Sequence, residues 1–162
     1  MNDTDFKKLL LKTSFCCMAA DGNIDSTEIE EINNLCLQSH LFDNINYKSE
    51  LAEQAELLNK KGKTFVTDFL NELEKTELSE KQKHTVVDFA FKTIEADNEV
   101  HYSEIKFFKV VRSKLNISKE IILENYPDKE DYLEDDIITD THLHSMLDAS
   151  FTNLGDLNIV IE

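Results

Sequence analysis

The chain has 162 residues, an ordinary apolar share of 41% and a formal net charge of −16. A field of that sign repels nucleic acid and anionic lipid, so no binding of DNA or RNA is expected. No apolar run approaches the roughly 18 residues that span a bilayer, so no membrane insertion is expected either. One proline and three glycines leave little material for a turn-rich β protein, and the predicted fold class is all-α.

The first two predicted helices are joined by an acidic turn. Helix one spans about 4–20, with apolar residues at a helical period. In the turn, Gly22 supplies the left-handed conformation that ends a helix at low cost. Helix two runs to about Ser39 and starts with a capping signature, Asp25 at the N-cap and Glu28 three residues later.

Five further helices are predicted. Four of them lie at about 47–60, 64–75, 103–115 and 119–126, and the other runs from Ser79 to a second acidic turn. Gly62 should end the helix at 47–60, and Ser79 with Gln82 forms a second capping box. The helix that starts at Ser79 is apolar on nearly all sides, so it is predicted to be the buried central helix. The phenylalanines of these helices are predicted core residues.

The composition changes at Pro127, which marks a boundary. We therefore expect a helical domain over residues 1–126 and an acidic C-terminal appendage over 127–162, with a short helix and a possible strand. Residues 120–162 hold 12 acidic residues and one lysine, a net charge of −11. Residues 128–162 are accordingly predicted to bind protein partners that offer a basic surface or an exposed strand edge.

The cysteines and the N-terminus bear on cellular location. The first residues are polar and acidic and lack the apolar segment of a secretory signal, so a cytoplasmic location is predicted. Three cysteines without a CxxC spacing indicate reduced thiols in a helical core. Cys16 and Cys17 are adjacent, and we expect only one of them to face the core.

Two stretches of the chain repeat each other. Residues 15–29 and 91–105 align at a constant offset of 76 positions, and identities fall at Phe, Ala, Asp, Glu and Ile. Such a repeat indicates a duplicated helix-turn-helix unit. Laid on a calcium EF-hand loop, the first copy places Cys17 and Ala19 where hard oxygen ligands are required, so a true EF-hand is not supported.

The repeated turns carry a more specific pattern. Ala-Asp-Gly-x-Ile-Asp-x-x-Glu-Ile follows an apolar helix and returns as Ala-Asp-x-x-Val-x-x-Ser-Glu-Ile. Over about residues 5–126 this resembles the TerB (tellurite-resistance protein B) family. The resemblance implies a compact all-helical fold with two packed hairpins. It also implies an association with bacterial responses to tellurite, other chemical stress and phage.

The resemblance further implies metal ligands among the acidic residues of both turns. Carried over to this chain, these are Asp21, Asp25, Glu28, Asp97, Glu99 and Glu104. Helix capping and hydrogen bonds to turn amides explain the same carboxylates without a metal, and both interpretations stay open.

Two functions are therefore expected as alternatives. The first is a non-enzymatic binding or scaffold module of a bacterial tellurite or stress-response system. The second is a divalent-metal sensor or binding protein that uses the acidic turns. The sequence lacks a P-loop, a Rossmann fingerprint and a nucleophile elbow, so no enzyme is expected, and the one cofactor considered is a divalent cation.

Overall fold

The computed structural model describes residues 3–19, 26–40, 42, 46–96 and 102–133, with the backbone alone for 26–29. Within these ranges the chain forms seven α-helices and one short 3-10 helix, and no strand occurs there. The all-α prediction is confirmed. The elements are α1 (Asp3–Ala19), α2 (Ser26–Ser39), α3 (Tyr47–Lys61), α4 (Lys63–Lys75), α5 (Glu80–Glu95), α6 (Tyr102–Leu115), α7 (Lys119–Asn125) and the 3-10 helix Glu130–Leu133.

The central element is α1. It contacts α3, α4, α5 and α6. Residues 13–19 carry no charged side chain, and every side chain in that run is buried. A helical segment that is uncharged and mostly apolar is most stable when protein encloses it, because apolar surface left in water forgoes about 25 cal/mol per Å² of burial.

The prediction that the fifth helix is central is wrong. Phe89 and Phe91 are buried where α5 packs with α1, α2 and α6. On its other side, Lys81 and Lys92 are exposed. α1 takes the central place because its C-terminal half is free of charge, whereas the C-terminal half of α5 carries the exposed Lys92, which needs water.

The expectation that only one of the adjacent cysteines faces the core is also wrong. Cys16 and Cys17 are both 0% exposed. Adjacent helical positions do point to different sides, but helices surround α1 on each of those sides. Both thiols are therefore inside the protein.

One polar contact joins α1 to α5 inside this core. The hydroxyls of Ser14 and Thr93 lie 2.9 Å apart. The Thr93 hydroxyl also donates to the Phe89 carbonyl oxygen at 2.7 Å, which leaves Ser14 to donate to Thr93. The pair satisfies two buried hydroxyls and fixes the register of the two helices.

The predicted helix ends are confirmed where the structure describes them. Ser79 and Gln82 form the capping box, with backbone N–H to side-chain oxygen distances of 3.0 and 3.1 Å. Gly62 ends α3 at a φ of 58°, and its N–H donates to the Leu58 carbonyl oxygen. The predicted caps at Gly22 and Asp25 lie outside the described residues. None of the described helices is long and apolar enough to cross a membrane.

We expect the three thiols of the native protein to resist an aqueous aromatic disulfide reagent. Burial raises the pKa of Cys16 and Cys17 and raises that of Cys36 to about 12, so the reactive thiolate is scarce at neutral pH. Absorbance should report almost no reaction in buffer and three equivalents in guanidinium chloride. Rapid reaction of a full equivalent with the folded protein would contradict the burial.

Candidate functional site

Most of the predicted ligand residues lie outside the part of the chain that the structure describes. This holds for Asp21, Asp25, Asp97 and Glu99, and Glu28 is described by its backbone alone. Glu104 is the one candidate whose side chain is described. The six-residue ligand set therefore stays a prediction.

Glu104 is a buried carboxylate in the first turn of α6, and it is 6% exposed. Its charge raises the pKa of the Cys17 thiol and of the Tyr132 hydroxyl, in both cases after burial as the largest cause. The Glu104 charge therefore acts on a thiol of α1, the helix that leads into the first turn.

A second carboxylate, Glu95, ends α5 just before the second turn. It accepts a hydrogen bond from the Tyr132 hydroxyl at 3.3 Å and forms an ion pair with the Lys129 ammonium group. Lys129 also pairs with Asp128 at 3.4 Å. Burial disfavours the charged lysine, but Glu95 and Asp128 outweigh it and raise the pKa of Lys129.

An aromatic cluster surrounds this ion pair. Phe91 packs against Phe108, Tyr126 and Tyr132 with ring centroids 4.5, 5.0 and 5.2 Å away. The Lys129 ammonium nitrogen lies 5.7 Å from the Phe91 centroid and 5.6 Å from that of Tyr132, within cation–π range. The site is therefore a lysine ammonium group held between two carboxylates, Glu95 and Asp128, and two aromatic rings.

Glu95 also lines an open groove between α2 and the end of α5, with a volume of about 390 Å³. The groove is lined by Glu31, Asn34, Leu35, Gln38, Lys92, Glu95 and Ala96. Lys92 pairs with Asp88 at 2.8 Å. Glu95 therefore lines the groove and also forms the ion pair with Lys129.

The described side chains do not form a metal site by themselves. Among them, no group of three or more histidine, cysteine, aspartate or glutamate residues is placed to hold a metal ion. Glu95 and Glu104 both raise the pKa of the Tyr132 hydroxyl, after burial as the largest cause. Five of the six predicted metal ligands lie in the turns whose side chains the structure does not describe.

A comparison with protein-family models shows which family the chain belongs to. A family model described as tellurite resistance protein TerB matches residues 10–122. The chain belongs to the TerB family. No curated protein and no solved structure matches it.

The TerB match includes Glu95 and Glu104 but ends before Lys129 and Tyr132. Sequence reasoning missed this part of the site because it assigned everything after Pro127 to an appendage. A signal was present, since the one lysine of a strongly acidic segment stands between two tyrosines. Residues 130–133 pack on α6, and the division of the chain at 126/127 remains a prediction.

Proposed function

We propose that this TerB protein is a non-enzymatic binding module of a bacterial tellurite or stress-response assembly. The observation that carries the proposal is the family match over residues 10–122, because the family is generally non-catalytic. The three buried free thiols are typical of a reducing compartment, so we place the module in the cytoplasm.

The proposed partner is a protein with a basic surface. Residues 134–162 contain seven acidic residues and no lysine or arginine, a net charge of −7. That segment follows directly on Leu133, which is buried against the helical core. The anionic segment therefore begins directly after a core residue, and opposite charge accelerates and orients association with a basic partner.

Neutralising the start of that segment should weaken partner binding. The test variant of the full chain carries Glu134→Gln, Asp135→Asn and Asp136→Asn. Co-purification from the native host should recover a basic protein with the original chain and several-fold less of it with the variant, because the charge attraction is lost.

A matched control makes the same change in net charge at positions outside this segment. It carries Glu53→Gln, Glu56→Gln and Glu124→Gln, all at exposed positions of helices. We expect the control to recover the partner like the original chain. Equal recovery with both variants would contradict docking through the acidic segment.

A second candidate function, a divalent-metal sensor, is favoured by the position of Glu104. This carboxylate of the second unit is buried, and after burial its charge is a cause of the raised pKa of Cys17, which is four residues before Asp21. We propose that a divalent cation would draw its ligands from Asp21, Asp25, Glu28, Asp97, Glu99 and Glu104. Oxygen ligands of this kind suit calcium, magnesium or manganese.

Calorimetric titration of the full chain with calcium, magnesium, manganese and zinc tests the metal function. Binding should release or absorb heat and raise the melting temperature, since a ligand at 100 times its Kd adds about 2.7 kcal/mol to the free energy of unfolding. Glu104→Gln should weaken the binding, and Glu124→Gln should leave it unchanged. No heat and no shift in melting temperature at millimolar metal would remove this function.

A further inference from the structure

Residues 126–133, here called the strap, lie along α5 and α6. The Tyr126 hydroxyl donates to Asp88 of α5 at 2.7 Å, and the Tyr132 hydroxyl donates to Glu95 of α5 at 3.3 Å. The two carboxylates are seven positions apart, which is about two turns of the helix. The strap therefore runs in the same direction as α5 and is joined to it by two tyrosine–carboxylate hydrogen bonds.

Two phenylalanine rings accompany these carboxylates. Phe91 of α5 and Phe108 of α6 are 2% and 0% exposed. The Tyr132 ring packs edge-on against both, with centroids 5.2 and 5.9 Å away, and the Tyr126 ring packs edge-on against Phe91 at 5.0 Å. The strap thus covers a surface with two acceptors and two rings. This surface, here called the α5–α6 face, consists of Asp88, Phe91, Glu95 and Phe108.

A cation completes the contact between the strap and the face. The Lys129 ammonium group forms an ion pair with Glu95 and lies 5.7 Å from the Phe91 centroid, within cation–π range. Its other carboxylate partner, Asp128 at 3.4 Å, belongs to the strap itself. The lysine therefore meets the face through the Glu95 carboxylate and the Phe91 ring.

The face and the strap come from different parts of the chain. The TerB match ends at residue 122, so the four residues of the face lie inside it and the strap follows it. The seven-residue helix α7 leads into the strap, and Ile122 is its one buried residue. Because so little burial holds this connection, the strap can detach from the face while α1 stays packed.

We propose that the α5–α6 face is a peptide-binding surface, which the strap occupies as an intramolecular competitor. The partner that fits is a protein segment with the pattern Tyr-x2-Lys-x2-Tyr, because in the strap these side chains at this spacing engage both carboxylates and both rings. Glu130 and Asp131 of the strap are exposed, so a partner can carry lysines there, which the net charge of −16 favours. This surface is separate from the acidic segment that follows residue 133.

Fluorescence anisotropy with a labelled peptide of the sequence 125–133 tests the surface. The peptide is titrated with the original full chain and with a full chain that carries Tyr126→Ser, Lys129→Ser and Tyr132→Ser. The substituted chain should bind at least about tenfold more tightly, because a tethered strap competes at an effective concentration in the millimolar range. Absence of tighter binding by a substituted chain whose circular dichroism matches the original would overturn the proposal.

Changes in the face show whether the peptide makes the contacts of the strap. In the substituted chain, Asp88→Asn with Glu95→Gln should weaken binding at least about tenfold, because the charged acceptors are lost. Glu53→Gln with Glu124→Gln makes the same change in net charge at exposed positions and should leave binding unchanged. An equal effect of the two pairs would mean that the peptide binds elsewhere, against the proposal.

Lys129→Gln alone provides the test if the triple substitution prevents folding. It keeps both tyrosines and removes the ion pair with Glu95, so the peptide should bind several-fold more tightly than to the original chain. Its matched control is Lys114→Gln, which breaks a pair with Glu74 at 3.3 Å and should bind the peptide like the original chain. Equal affinities of the two variants would contradict competition by the strap.

Sedimentation of the original chain mixed with the substituted chain separates a distinct partner from a second copy of this protein. Both chains should remain monomeric, because the strap of the original chain stays on its own face. A mixed dimer that forms while the free peptide remains unbound would identify a second copy as the occupant. That result would overturn the assignment of the face to a separate partner.

Discussion

Enclosure of α1 is the constraint on which the rest of the structure depends. Residues 13–19 have no charged side chain and all are buried. Four helices, α3, α4, α5 and α6, each complete their own apolar face against α1. Loss of that packing would expose apolar surface on all four helices at once, so α1 couples them into one cooperative unit.

The same enclosure places the charged groups of the candidate site. α5 is fixed on α1 by apolar packing and by the contact between Ser14 and Thr93, and it ends at Glu95. α6 contacts α1 and begins with Glu104, whose charge raises the pKa of Cys17 after burial as the largest cause. One carboxylate thus lies on each side of the second turn in sequence: Glu104 is buried, and Glu95 is neutralised by Lys129.

Helical periodicity and capping residues were sufficient to predict the helices, because those signals are local. The capping box at Ser79 and the end of α3 at Gly62 each depend on residues within a single helical turn. Which helix is central, and that Cys16 and Cys17 are both buried, could not be predicted from local patterns, since enclosure depends on neighbours distant in sequence. The pair between Glu95 and Lys129 likewise spans 34 positions, and no local pattern encodes it.

Native-state hydrogen exchange of α1 tests most directly whether its enclosure holds the fold together. As denaturant rises, the amides of residues 13–19 should exchange only through global unfolding, with the same free energy and denaturant dependence as the whole protein. Amides of α7, which lies outside that enclosure, should open at a lower free energy. Exchange of the α1 amides through a local opening, below the global free energy, would contradict the account.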